Sequence, residues 1–223
     1  MKTKLLFQAL AKFAAGLLMI GLLLFVPAGT LDYPNGWRFC GLLFLPMLVL
    51  GVVLFLKAPE LLEKRLASKE SEPEQKAVIG LSLLMFVGGF VVAGLDFRFG
   101  WSHLPGWAVN AASAVLLVSY GLYAEVMREN TYLSRTVEVQ EGQKVVDTGL
   151  YGIVRHPMYM VTTLLFLSIP LVLGSLPAFV IFLIYPALLV KRIRNEEAVL
   201  EEGLPGYREY KEKVKYRMIP FVW

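Results

Sequence analysis

From Leu5 to Val26 the chain is apolar at every position that matters for solvation, with Lys12 the one charge and close enough to the start to reach water. At 1.5 Å per residue this run extends about 33 Å, enough to cross a hydrocarbon layer near 30 Å thick. It is long for a signal-peptide core, and Val26-Pro27-Ala28-Gly29 is a poor cleavage site, so it reads as a retained span. Phe39 to Leu56, Ala77 to Leu95 and Trp107 to Met127 repeat the pattern. Trp37, Trp101 and Trp107 stand at run ends, where amphipathic rings favour the headgroup layer. A final stretch, Met158 to Val190, is broken by Gly174-Ser175-Leu176-Pro177 and reads as a tight hairpin of two short helices, with Pro170 and Pro186 kinking its arms. Hydrophobic residues at 57% and charged residues at 18% leave more apolar surface than one water-soluble core can bury. The fold class expected is therefore an all-α integral membrane protein of about six hydrophobic helices.

Charge placement orients these spans. With the N-terminus inside, the inner segments hold all but Arg38 and Arg98 of the 22 lysines and arginines. That asymmetry predicts both termini on the cytoplasmic side and an even number of crossings. It also accounts for the basic pI of about 9.1 without nucleic acid as a partner. Cys40, alone and in an apolar run, excludes an intrachain disulfide and a cysteine-based zinc cage. The segment 57–76, with balanced charge, reads as a solvated helical connector.

Polar residues that can do chemistry concentrate after residue 125. Val137-Glu138-Val139 and Val145-Val146 alternate about Glu141-Gly142, which predicts a short β-hairpin at the cytoplasmic surface. The run Gly149-Leu150-Tyr151 and then Arg155-His156-Pro157-Met158-Tyr159 leads into the apolar hairpin. The chain emerges through Arg192 and Glu196-Glu197 and continues as a helical tail with Tyr207-x-x-Tyr210. No strand, glycine-rich loop and helix of the dinucleotide-binding type is present, since Gly88-Gly89 lies inside an apolar run.

This ordered set, over roughly residues 125–221, resembles the isoprenylcysteine carboxyl methyltransferase family and, more broadly, integral-membrane methyltransferases that include the phospholipid N-methyltransferases. The resemblance implies one membrane domain over 1–223, with N-terminal helices in 1–106 and a catalytic half in 107–223. It implies S-adenosyl-L-methionine as methyl donor, contacted by Gln140, Gln143, Lys144, Val145, Val146, Tyr151, His156, Pro157, Met158, Tyr159 and Glu197. Arg192, Glu197 and Tyr159 are the catalytic candidates, with Arg192 beside the acceptor's carboxylate.

Residue chemistry is compatible with that reading. A carboxylate such as Glu197 can pair with the donor's ammonium, and the faces of Tyr151 and Tyr159 attract a sulfonium by about 0.5–2 kcal/mol. A carboxylate acceptor is ionised at neutral pH and needs only an orienting cation such as Arg192, whereas an amine acceptor needs a base, for which His156 and Glu196 both qualify. The carboxylate is favoured, on a lipophilic molecule entering from the bilayer. Arg192 and Glu197, five residues apart, stand about 140° apart around a helix. Tyr207 and Tyr210 read as packing for the tail, and His156 before Pro157 also suits a plain helix start. A phosphatidylethanolamine-type phospholipid N-methyltransferase, a sterol-reductase-like enzyme using NADPH and a non-catalytic membrane scaffold are the alternatives.

Overall fold

The computed structural model describes residues 2–66, 73–133 and 139–223. Its helices run α1 (Lys2–Ala28), α2 (Pro34–Lys57), α3 (Pro59–Leu66), α4 (Pro73–Phe99), α5 (Gly106–Glu129), α6 (Pro157–Leu173), α7 (Leu176–Phe182), α8 (Ile184–Gly203) and α9 (Tyr207–Lys213). Five stretches are long and apolar enough to cross a membrane, with α7 and α8 together forming the fifth, and α6 is a shorter apolar helix of 17 residues. The architecture is the all-α membrane fold expected from the sequence.

The apolar hairpin forms because its corner satisfies its own backbone. Gly174 takes φ +80°, a left-handed conformation that costs a side-chain-bearing residue about 1–2 kcal/mol. Its N–H and that of Ser175 bond back to carbonyls of the last turn of α6. Ser175 then caps α7 by accepting from the Ala178 N–H at 3.2 Å. One more orphan carbonyl at the end of α6, that of Leu173, accepts from the buried Tyr33 hydroxyl at 2.7 Å. Pro186 does more than kink its arm. It has no N–H to give Phe182, four residues back, and its ring crowds that carbonyl, so α7 stops at Phe182 and α8 starts afresh at Ile184.

The expected β-hairpin is not formed among the described residues. Val137 and Glu138 of its first arm lie outside them, and Val145-Val146 are irregular. What exists is a tight turn: Gln143 N–H donates to the Gln140 carbonyl at 3.0 Å, and Gln140 N–H donates to the Gln143 side chain at 2.9 Å. The backbone then passes to a 3-10 turn at Gly149–Gly152 without a partner strand. A two-stranded ribbon with no third strand is marginal, and here the valines pack instead against tail residues Leu204, Tyr207 and Tyr210 or beside Tyr151.

One apolar core runs through both halves of the chain, joining Leu24, Phe39 and Phe90 to Ile169, Phe182 and Tyr185. Gly89 lets α7 approach α4 closely, because a Cβ there would stand 2.3 Å from the Phe182 ring. Phe86 meets the rings of Phe166 and Phe182 edge-on, at 4.8 and 5.4 Å between centroids, and makes an aromatic floor. Since Phe182 is fully buried and has nowhere to move, Gly89→Ala should destabilise the protein by about 1–3 kcal/mol. Thermal unfolding in detergent should show the midpoint falling.

Candidate active site

The helix α8 carries a stripe of residues that mixes apolar and charged side chains. Tyr185, Leu189, Arg192, Glu196 and Leu200 follow at spacings of four, three, four and four residues, so they share one face for about 22 Å. All five line a single cavity of about 540 Å³. Its chemistry changes in order along that face. Tyr185 packs against the Phe166 ring, which meets Phe86, and the half-exposed Ile79 and Leu83 of α4 line the same cavity. At Arg192 and Glu196 the walls are Arg155, His156 and Tyr159. Leu200 packs with Leu204, Tyr207, Tyr210 and Val145, and Val146 and Tyr151, packed together with Met158, line the same cavity. Apolar, charged, then apolar and aromatic is the sequence of environments.

The charged middle is a short hydrogen-bonded chain. Arg192 Nε donates to the Tyr159 hydroxyl at 2.8 Å, and that hydroxyl donates to Glu196. Tyr159 sits in the first turn of α6, entered through Pro157, which needs no N–H partner at that position. The His156 ring stacks on Tyr159 at 5.7 Å between centroids, and its Nδ1 lies 3.9 Å from Glu196. His156 does occupy the helix-start position, but its side chain makes no cap there. It is buried and points Nε2 toward Glu197 at 3.4 Å without a well-formed hydrogen bond.

Glu197, expected to face a bound ammonium, is placed elsewhere. One residue on from Glu196 means about 100° around the helix, out of the stripe and into the protein. Its carboxylate is buried, receives Arg155 Nε at 2.7 Å on one oxygen and Arg217 Nε at 2.8 Å on the other, and does not line the cavity. Arg155 also donates to the Val214 and Lys215 carbonyls, while the backbone N–H groups of Arg155 and His156 donate to Tyr216 and Arg217. The last ten residues are thereby bound across the His156-Pro157 turn.

The other candidates divide similarly. Gln143, Lys144, Val145 and Val146 line the outer arm with Tyr151, and Met158 joins them. Gln140 and Pro157 do not line the cavity: Gln140 braces the turn and Pro157 starts α6. Tyr151 is held by Asn130, which donates to its hydroxyl at 3.0 Å, and by Tyr210, whose hydroxyl donates to its carbonyl at 2.7 Å. Burial pushes the phenols of Tyr151 and Tyr207 above their ordinary value, so both stay neutral at physiological pH. Sequence reasoning quoted Arg155 within the motif without giving it a role, and it had no signal for Thr162 and Tyr185. Those two meet at 3.1 Å between hydroxyls within the apolar arm. Arg65 of α3 also reaches the wall, bonded to the Tyr123 hydroxyl and lying over its ring.

Residues 110–202 match the model of the isoprenylcysteine carboxyl methyltransferase family, so the resemblance carried by the motifs is shown for that segment. It supports an integral-membrane, methyltransferase-like function. The Delta(14)-sterol reductase TM7SF2 of Mus musculus is 34% identical over 91 residues, covering 40% of this chain and 22% of the reductase. The uncharacterized protein YpbQ of Bacillus subtilis (strain 168) is 31% identical over 97 residues, covering 43% of this chain and 58% of that protein.

Removing Glu197 should cost stability first. Glu197→Ala leaves two guanidinium groups facing each other in a buried site, a loss of about 3–5 kcal/mol for a broken buried pair. The expected readout is a lower unfolding midpoint together with faster proteolysis of the tail after residue 205.

Proposed function

We propose that the protein is an S-adenosylmethionine-dependent membrane methyltransferase that esterifies a carboxylate on a lipophilic acceptor. The observation that carries this reading is the order of environments along α8: an apolar arm, a charged middle and an aromatic outer arm. Those three suit a lipid chain, a reacting pair of charges and a nucleoside. At about 540 Å³ the cavity is in the range of small-molecule sites.

When bound, the donor supplies a methyl group on a positively charged sulfur. Glu196 supplies the negative charge and Tyr159 the aromatic face for that cationic molecule, which moves the carboxylate role from Glu197 to its neighbour. Arg192 turns the acceptor carboxylate toward the middle of the cavity, and Tyr159 keeps the Arg192 side chain aligned. No base is needed for an acceptor already ionised. The arms exclude water, which strengthens every charge interaction between them. Ile79 and Leu83 are about half exposed on the outer face of α4 while lining the apolar arm, which supports entry of the acceptor from the bilayer. Both termini and the cavity belong, on this reading, to the cytoplasmic side that carries nearly all the lysines and arginines.

Incubation with methyl-labelled donor and a membrane lipid extract should give base-labile label, the mark of an ester. Base-stable label would point to an amine acceptor. Glu196→Gln should weaken binding of S-adenosylhomocysteine by about tenfold in calorimetry. Arg192→Ala should lower turnover by roughly a hundredfold while leaving that affinity near normal. The likeness to the sterol reductase favours a second reading, a membrane reductase. Tight NADPH binding with no S-adenosylhomocysteine binding would establish it in place of the first.

A further inference from the structure

The two tail tyrosines, read alike from the sequence, are not alike in the structure. Both are buried on α9, their rings 5.7 Å apart and packed with Leu204 and Val214. Tyr210 spends its hydroxyl on the Tyr151 carbonyl at 2.7 Å. Tyr207 lines the cavity, and its hydroxyl, in a residue only 4% exposed, has no hydrogen-bond partner among the described residues. A buried hydroxyl left without a partner costs about 1–3 kcal/mol, so its place demands an explanation. Packing does not supply one, because a phenylalanine ring would fill the same space without that cost.

The surroundings say what would satisfy it. The outer arm is built from Val145, Leu200, Leu204 and the Tyr207 and Tyr210 rings, flat and apolar walls suited to a planar heteroaromatic ring. Of the residues that form this arm, Tyr207 is the one whose side-chain polar atom is buried without a partner among the described residues. We infer that Tyr207 is a ligand-binding residue, its hydroxyl hydrogen-bonding the nucleoside end of the methyl donor within the outer arm. The phenol stays neutral there and so can either donate or accept. Tyr210 is its structural counterpart, holding Tyr151 and the tail in place.

The inference rests on the methyl-donor reading and is tested by binding, with no turnover required. Tyr207→Phe removes one oxygen and no packing. Ligand-free Tyr207→Phe should melt at or above the wild-type temperature, and its affinity for S-adenosylhomocysteine in calorimetry should fall about five- to tenfold. Methylthioadenosine, which keeps the nucleoside and lacks the amino acid, should show the same ratio. Tyr210→Phe should instead lower the ligand-free melting temperature. Unchanged affinity of Tyr207→Phe beside a binding wild type overturns the inference and spares the donor reading. So does a ligand-free Tyr207→Phe that melts well below wild type, since the hydroxyl would then have a protein partner. A penalty seen with S-adenosylhomocysteine but absent with methylthioadenosine moves the hydroxyl to the amino-acid end and overturns the nucleoside assignment. Wild-type protein that binds neither compound removes the donor reading and this inference with it.

Discussion

A buried carboxylate between two arginines organises the polar end of this protein. Glu197 comes from α8, Arg155 from the turn ahead of α6, and Arg217 from the end of the tail, three segments far apart in the chain. Charges taken out of water are tolerated only when paired and hydrogen-bonded, and here both carboxylate oxygens receive a guanidinium. Arg155 extends the pairing into the backbone of Val214 and Lys215. With that clamp in place, His156 and Tyr159 are presented to the cavity and α9 is held across its outer arm. Apart from it the tail is held by the apolar contacts of Leu204, Tyr207, Tyr210 and Val214, by the Tyr210 hydroxyl on the Tyr151 carbonyl, and by backbone bonds from Arg155 and His156.

The membrane part supplies the other wall. A helix as apolar as α4 has no polar face to orient it, so its position is set by close packing: Gly89 against Phe182, and Phe86 against Phe166 and Phe182. That packing puts the α4 residues Ile79 to Phe86 opposite Tyr185 and Leu189 of α8, and the space between them becomes the apolar arm. The first helices thus help build the cavity although the family match begins only at residue 110. Arg65 of α3 makes the same point at the polar end.

Much of this was legible beforehand. Runs of apolar residues marked the helices, since a chain in hydrocarbon has few ways to satisfy its backbone. The break at Gly174-Ser175 and the discontinuity near Pro186 follow from local stereochemistry and lie where the residues place them. His156, Tyr159 and Arg192 were recognisable because their spacing around one hairpin is distinctive. Two readings went differently. Alternation in Val137–Val146 suggested a hairpin, yet the described part of that segment pairs with no strand and uses its valines against the tail and Tyr151. Glu196 and Glu197 are adjacent, equal in chemistry, and separable only once the direction of α8's stripe is known.

The linear chain by itself determined that this is a helical protein of the bilayer, where its helices break, and which stretch gathers the polar residues that line the cavity. These follow from length, hydropathy and backbone chemistry, properties that each segment holds alone. Only the tertiary structure decided which of two neighbouring carboxylates meets the cavity, which of two tail tyrosines keeps a free hydroxyl, and what α4 contributes. Those depend on the rotation of one helix against another, set by packing among residues up to about a hundred positions apart.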